Sequence, residues 1–183
     1  MNLPLRSVAF LLPLTLAACS KADDKTPEGP MTLSLASPAF TRSGAIPAVH
    51  TCDGRDLSPA LAWSGVPPAA RSLALIVDDP DAPRGTWVHW VVYNLPPSVT
   101  GLAEGAGSGA LPAGATSGRN DFQRTAYGGP CPPSGNHRYF FKLYALDTVL
   151  DGLVEPTKAD LERAMEGHVL ARGELVGTYQ RAR

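Results

Sequence analysis

Three stretches of the chain carry a clear pattern of apolar positions. Ser72-Leu73-Ala74-Leu75-Ile76-Val77 is almost continuously apolar, which predicts a strand buried on both faces. Thr86 to Leu95 is aromatic and β-branched, and it alternates Trp87, His89, Val91 and Tyr93 against Val88, Trp90, Val92 and Asn94. Strict alternation would put His89 on the face of Trp87 and away from Trp90. Tyr139 to Leu146 is a third strand, dense in aromatics. Weaker signals flank these: Thr32 to Ala36 alternates Leu33 and Leu35 with polar partners, and Glu174 to Tyr179 reads as a closing strand. One helix is predicted, capped by Thr157, with Asp160 in its first turn and Leu161, Ala164, Met165 and Val169 along one side. Core packing alone explains that stripe. Residues 37–59 and 96–121 are rich in small residues, Gly and Pro and read as loops, the second long enough to be functional or mobile. Several strands, one helix, no internal repeat and abundant Gly and Pro argue a mainly β domain.

The start of the chain follows a different pattern. Arg6 is the only charge before Lys21, and Val8 to Leu16 is apolar but too short to span a bilayer. These are the marks of a signal peptide over residues 1–18. The run ends in Leu16-Ala17-Ala18-Cys19, which resembles the bacterial lipobox, where small residues admit the peptidase and the cysteine sulfur takes a diacylglycerol. Cys19 is then the lipid anchor, and residues 19–30, polar with two prolines, are a tether to a ligand-binding domain over 31–183. By resemblance to Gram-negative lipoproteins, the non-acidic Ser20 after the cysteine implies sorting to the periplasmic face of the outer membrane of a Gram-negative bacterium.

Charge narrows the partners. The whole chain has 16 basic and 17 acidic residues, so nothing favours nucleic acid or a polybasic membrane contact. With Cys19 lipidated, Cys52 and Cys131 remain; an even pair in an exported chain favours a disulfide, although spacing equally allows two buried free thiols.

Ionisable side chains gather in three places. Asp78-Asp79-Pro80-Asp81-Ala82-Pro83 sets three carboxylates on a proline-stiffened turn after the buried strand, where mutual repulsion should raise at least one pKa. Trp87-Val88-His89-Trp90 carries a histidine among aromatics. In Tyr127-Gly128-Gly129-Pro130-Cys131-Pro132-Pro133-Ser134-Gly135-Asn136-His137-Arg138-Tyr139, glycine leaves room for a ligand near backbone N–H groups and a histidine leads into the next strand.

DPDAP (79–83), WVHWVVYNLP (87–96) and GGPCPPSGNHRYFFKLYALD (128–147) resemble the phosphatidylethanolamine-binding protein family, nearest to its bacterial Raf kinase inhibitor-like (YbhB/YbcL) branch. The agreement extends through SPALAWSGVP (58–67), GRNDF (118–122) and MEGHVLARGELVGTY (165–179). The resemblance implies two packed antiparallel β-sheets with a few short helices, and one pocket for a small anion such as phosphate or a phospholipid head group. It makes Asp79 the pocket acid and Asp81 the support of the turn. Trp87 and His89 form a wall, Gly129 and Pro130 the anion loop with Tyr127 beside it, and His137 and Tyr139 close the site. Cys131 in that loop matches the exported bacterial type and gives Cys52 a partner. No segment after Tyr179 matches the tyrosine-rich C-terminal helix of the animal members, so the resemblance gives no support for kinase regulation or for their lipid selectivity.

The reading is a binding module without catalytic residues, metal or cofactor, and a homodimer is expected from bacterial relatives. Two alternatives stand beside it. One is a regulator of a protease or other protein acting through surface loops, its partner unknown. The other is an enzyme or metal site using Asp79, His89 and His137. A carboxylate beside two imidazoles should favour protonated histidine and anion binding at mildly acidic pH.

The anchor is open to direct test. Cys19→Ser should leave an unlipidated precursor or a soluble product, whereas wild type should fractionate with membranes and carry lipid mass. Wild-type protein found only in the soluble periplasmic fraction, without that mass, contradicts the anchor.

Overall fold

The computed structural model describes residues 31–182; the expected signal peptide, Cys19 and the tether lie outside them. Strand β4 (Ser72–Asp79) is the centre of the molecule, with all eight residues buried as its apolar run requires. It pairs on one side with β5 (Trp87–Leu95) and on the other with β8 (His137–Leu146), both antiparallel. The full sheet adds β9 (Val169–Tyr179) beside β8, β1 (Met31–Thr32) at one edge and β7 (Thr116–Ser117) at the other. A second sheet of three short strands, in the order β2 (Ser34–Ala36), β3 (Leu61–Ser64) and β6 (Gly101–Leu102), packs against it. All pairings between these strands are antiparallel except β1 with β9.

Each face of the large sheet has its own core. Leu73, Leu75, Val77, Trp90, Val92, Tyr139, Phe141 and Leu143 face the small sheet, where they meet Leu33, Leu35, Leu61 and Trp63. Ala74, Ile76, Val88, Val91, Tyr93 and Leu146 face the opposite way, against Leu161 and Met165 of α1 (Lys158–Met165). The helix starts where its sequence says it should. Thr157 Oγ1 accepts from the Asp160 amide at 3.3 Å and Asp160 Oδ2 accepts from the Thr157 amide at 3.2 Å, a reciprocal capping box.

The strand expected over Thr32 to Ala36 divides at Leu33, where the chain leaves the large sheet for the small one. Gly173 on β9 permits this crossing, since a Cβ there would stand 2.6 Å from the Leu33 carbonyl oxygen. The loop expected over 96–121 holds β6 and β7, each of two residues and too short to show a period. Among the described residues there is one α-helix, and a 3₁₀ turn at Ala48–His50 supplies the other helical piece.

Asp78 and Asp79, adjacent in sequence, point to opposite faces because side chains alternate along a strand. Asp78 is fully buried on the helix side, where Lys142 and Lys158 hold it at 2.9 and 2.5 Å. Two ammonium groups on one buried carboxylate answer its charge locally.

Candidate functional site

The register of β4 and β8 builds the floor of the site. Their last pair is Asp78 with Phe140, so Asp79 and His137 lie diagonally across the strand ends on one face. Asp79 Oδ2 accepts from His137 Nδ1 at 2.8 Å, with both side chains almost fully buried. Asp79 Oδ1 accepts from the Asp81 amide at 2.8 Å, which folds the turn back over Pro80. Asp81 faces outward and is gripped by Arg138 through Nε at 2.9 Å and Nη2 at 2.6 Å, with the Arg138 amide adding a third bond at 2.9 Å. The Arg138 hydrogen bonds pull the Asp81 carboxyl down to about 2. The mutual repulsion expected from three crowded carboxylates therefore does not develop. Asp78 goes to the lysines, Asp79 to His137 and Asp81 to Arg138.

His89 forms the wall, and it arrives there by a route that strict alternation misses. Val77 pairs with Trp90 but Asp78 pairs with Val88, so β5 carries one extra residue, a bulge at His89. The bulge turns His89 onto the face shared with Trp90, while Val91 and Tyr93 go to the helix side. Its ring packs edge-on to Tyr139 at 5.2 Å and to Phe122 at 5.5 Å. His89 Nδ1 donates to the Gly128 carbonyl at 2.6 Å, leaving Nε2 free. Burial pushes the His89 pKa below its ordinary value, with the Gly128 carbonyl and Asp79 opposing. The imidazole is thus held neutral, contrary to the expectation that neighbouring carboxylates would keep it protonated, because desolvation outweighs their attraction. Tyr139 is 1% exposed, and its hydroxyl is set against the Asp79 carboxylate. Burial, and then the charge of Asp79, push that phenol well above the usual tyrosine range.

The outer wall comes from a buried sheet edge whose backbone groups have to be satisfied. β7 pairs with β5 only at Val92 and Tyr93. Farther along, the amides of Gly118, Asp121 and Gly128 donate to the carbonyls of Val91, Val88 and His89 at 2.9, 3.0 and 3.0 Å. Asn120 Nδ2 also donates to the His89 carbonyl at 3.1 Å, and Asp121 Oδ2 accepts from the Val88 amide at 2.7 Å. This wrapping carries Phe122 against Trp87, with ring centroids 5.4 Å apart.

The glycine-proline loop is fastened from behind. Cys52 and Cys131 are joined by a disulfide with Cα atoms 5.4 Å apart. The Cys52 amide donates to the Pro130 carbonyl at 3.1 Å, and Tyr127 Oη donates to the His50 carbonyl at 3.0 Å. The Gly129 amide donates to Asp56 Oδ1 at 2.6 Å, and a Cβ at Gly129 would collide with the His50 carbonyl. Gly129 and Pro130, expected as the anion loop, are therefore turned toward residues 48–57, and the chain's own Asp56 takes the amide meant for a ligand. Tyr127 is buried edge-on to Trp90.

Asp79, Trp87, His89 and His137 thus converge on one cavity of about 810 Å³. Tyr139 stands behind His89, and Tyr127, Gly129 and Pro130 support the wall without lining it. The cavity is also lined by Arg84, Asp121, Phe122, Pro132 and Pro133, none of which the sequence reading put there. GRNDF stood out as a motif, and a β5 edge left unpaired by so short a β7 is the signal that would have brought it in. Among the described residues no group of three His, Cys, Asp or Glu is placed where it could hold a metal ion.

The model for the phosphatidylethanolamine-binding protein family matches residues 36–180. A UPF0098 protein of Methanothermobacter thermautotrophicus is 55% identical over 150 residues, 81% of this chain and 99% of that protein. A solved homologue from Chlamydia trachomatis, described as of the same family, superimposes with a TM-score of 0.77 at 44% identity, covering 82% of this chain and 99% of its own. Escherichia coli YbcL, described as a member of the mammalian family, gives a TM-score of 0.77 at 36% identity over the same shares.

The disulfide closes a loop of 79 residues, for which chain entropy gives an upper figure of about 4–5 kcal/mol. The Cys52→Ser, Cys131→Ser double variant should lose up to that amount in urea unfolding. Unchanged stability, or recovery of both cysteines as free thiols from oxidised protein, contradicts the clamp.

Proposed function

Because the chain belongs to the phosphatidylethanolamine-binding protein family, we propose that it is a non-enzymatic binding module whose cavity takes a small anionic or phosphate-bearing ligand, such as a phospholipid head group. The observation that carries this reading is the set of polar atoms left over at the floor. With Nδ1 of His137 engaged by Asp79 and Nδ1 of His89 by Gly128, each ring has only Nε2 left for a ligand.

The chemistry follows from the tautomers. An Nδ1–H imidazole is unprotonated at Nε2, so it accepts the proton of a protonated oxyanion or takes one up to meet a bare one. Asp79 supplies the counter-charge for such a proton on His137. Trp87, Phe122, Pro132 and Pro133 give the cavity a largely apolar flank that would exclude water from the ionic contacts and cover an organic substituent. The anchor at Cys19 would hold this module at a membrane surface in the periplasm, within reach of lipid-derived anions.

Calorimetry with inorganic phosphate tests the reading. His137→Ala should weaken binding roughly ten- to a hundredfold, the worth of one charge-assisted hydrogen bond. His89 has its folded pKa lowered, so the free site carries no charge there at neutral pH and an arriving anion must draw a proton in. Affinity should rise as pH falls through the histidine range, with net proton uptake visible in buffers of different ionisation enthalpy. Sulfate, which does not titrate there, should show the same trend. Equal binding by wild type and His137→Ala contradicts the assignment.

A further inference from the structure

The permanent charges around the cavity do not by themselves invite an anion. Two carboxylates line it, Asp79 and Asp121, against one guanidinium, Arg84. Hydrogen bonds steady the carboxylates without removing their charge: Asp79 is held by His137 and the Asp81 amide, Asp121 by the Val88 amide. His89 is kept neutral by burial. A negative ligand therefore meets more negative than positive wall unless Arg84 answers it.

Arg84 is free to do so. Among the described residues it forms no ion pair, while the other arginines near the site are engaged. Arg138 is clasped by Asp81, and Arg124 lies over the Phe122 ring at 5.2 Å with Asp56 at 3.9 Å. Arg84 stands on a short turn at the cavity mouth, closed by the Gly85 amide donating to the Ala82 carbonyl at 3.1 Å. Gly85 holds φ at +104°, a conformation that favours glycine, so the turn is tight and presents Arg84 just before Trp87. A planar guanidinium offers two parallel donors to an oxyanion, which a point charge does not.

We propose that Arg84 is the residue that admits an anion to this cavity, closing over the mouth to pair with the charged oxygens of the ligand against the opposing field of Asp79 and Asp121. The inference rests on the anion-binding reading and adds to it a determinant of ligand charge. An ordinary solvated surface arginine is the alternative, and the two differ in what its removal does.

The test is titration of the expressed protein with inorganic phosphate at low and high salt, for wild type, Arg84→Gln, Arg84→Lys and Asp121→Asn. Arg84→Gln should weaken phosphate binding roughly tenfold or more and flatten its salt dependence. Arg84→Lys should fall in between. Asp121→Asn, which keeps an acceptor for the Val88 amide, should tighten binding a few-fold. Thermal midpoints of the Arg84 variants should match wild type, because the exposed side chain holds no partner in the fold. Arg84→Gln binding within twofold of wild type, with the same salt dependence, overturns the role of Arg84 and leaves the anion site standing. Wild type that binds no phosphate overturns the anion site, and this role with it.

Discussion

The bond from His137 Nδ1 to Asp79 Oδ2, 2.8 Å long, ties together two strand ends that are 58 residues apart in the chain. Its existence depends on the β4–β8 register. A slip of one residue would exchange Asp79 for Asp78 and send the carboxylate to the helix side. The sheet guards against that slip on both faces. Asp78 has its lysines beneath α1, and the neighbouring pairs seat Val77 and Phe141 in the inter-sheet core. A one-residue shift would bury lysine partners without their carboxylate and turn apolar side chains outward. The polar floor of the cavity is thus held in place by hydrophobic pairing farther along the same strands.

Around that floor, the rest of the site follows from the need to satisfy backbone groups. β5 is nearly an edge strand, and a buried edge with open carbonyls is unfavourable. Residues 118–128 close it, and in closing it they set Phe122 and Asp121 at the cavity. The bulge in β5 belongs to the same region, where it re-aims His89 from the helix side to the pocket side. The disulfide and the Asp56 bond to the Gly129 amide hold the opposite wall. The wall is rigid because the chain supplies its own carboxylate where a ligand was expected.

The long elements were legible in the sequence because their periods are long enough to read. β4, β5, β8 and the Thr157 cap stand where the apolar pattern and capping chemistry indicated. Four acids and bases of the expected site did converge or adjoin, yet the reasons were only partly visible. A period of two assumes no bulge, so it rightly set His89 beside Trp87 but wrongly with Val91 and Tyr93. Crowding in sequence suggested repulsion among Asp78, Asp79 and Asp81, but alternation and four separate partners disperse it. The fate of the Gly129 amide turns on Asp56, which is 73 residues away and outside any local pattern. Asp121 and Phe122 likewise depend on how one loop pairs with one strand edge.

The central claim is that both imidazoles are fastened through Nδ1 and present Nε2 to an anion. Long-range ¹⁵N–¹H NMR of the histidine rings, recorded while inorganic phosphate is added, reads this directly. The account predicts protonated Nδ1 on His89 and His137 before addition, and phosphate-dependent shifts at Nε2 of both rings with Nδ1 little changed. Rings protonated at Nε2 alone in the free protein, or Nε2 signals that do not move at saturating phosphate, would contradict it.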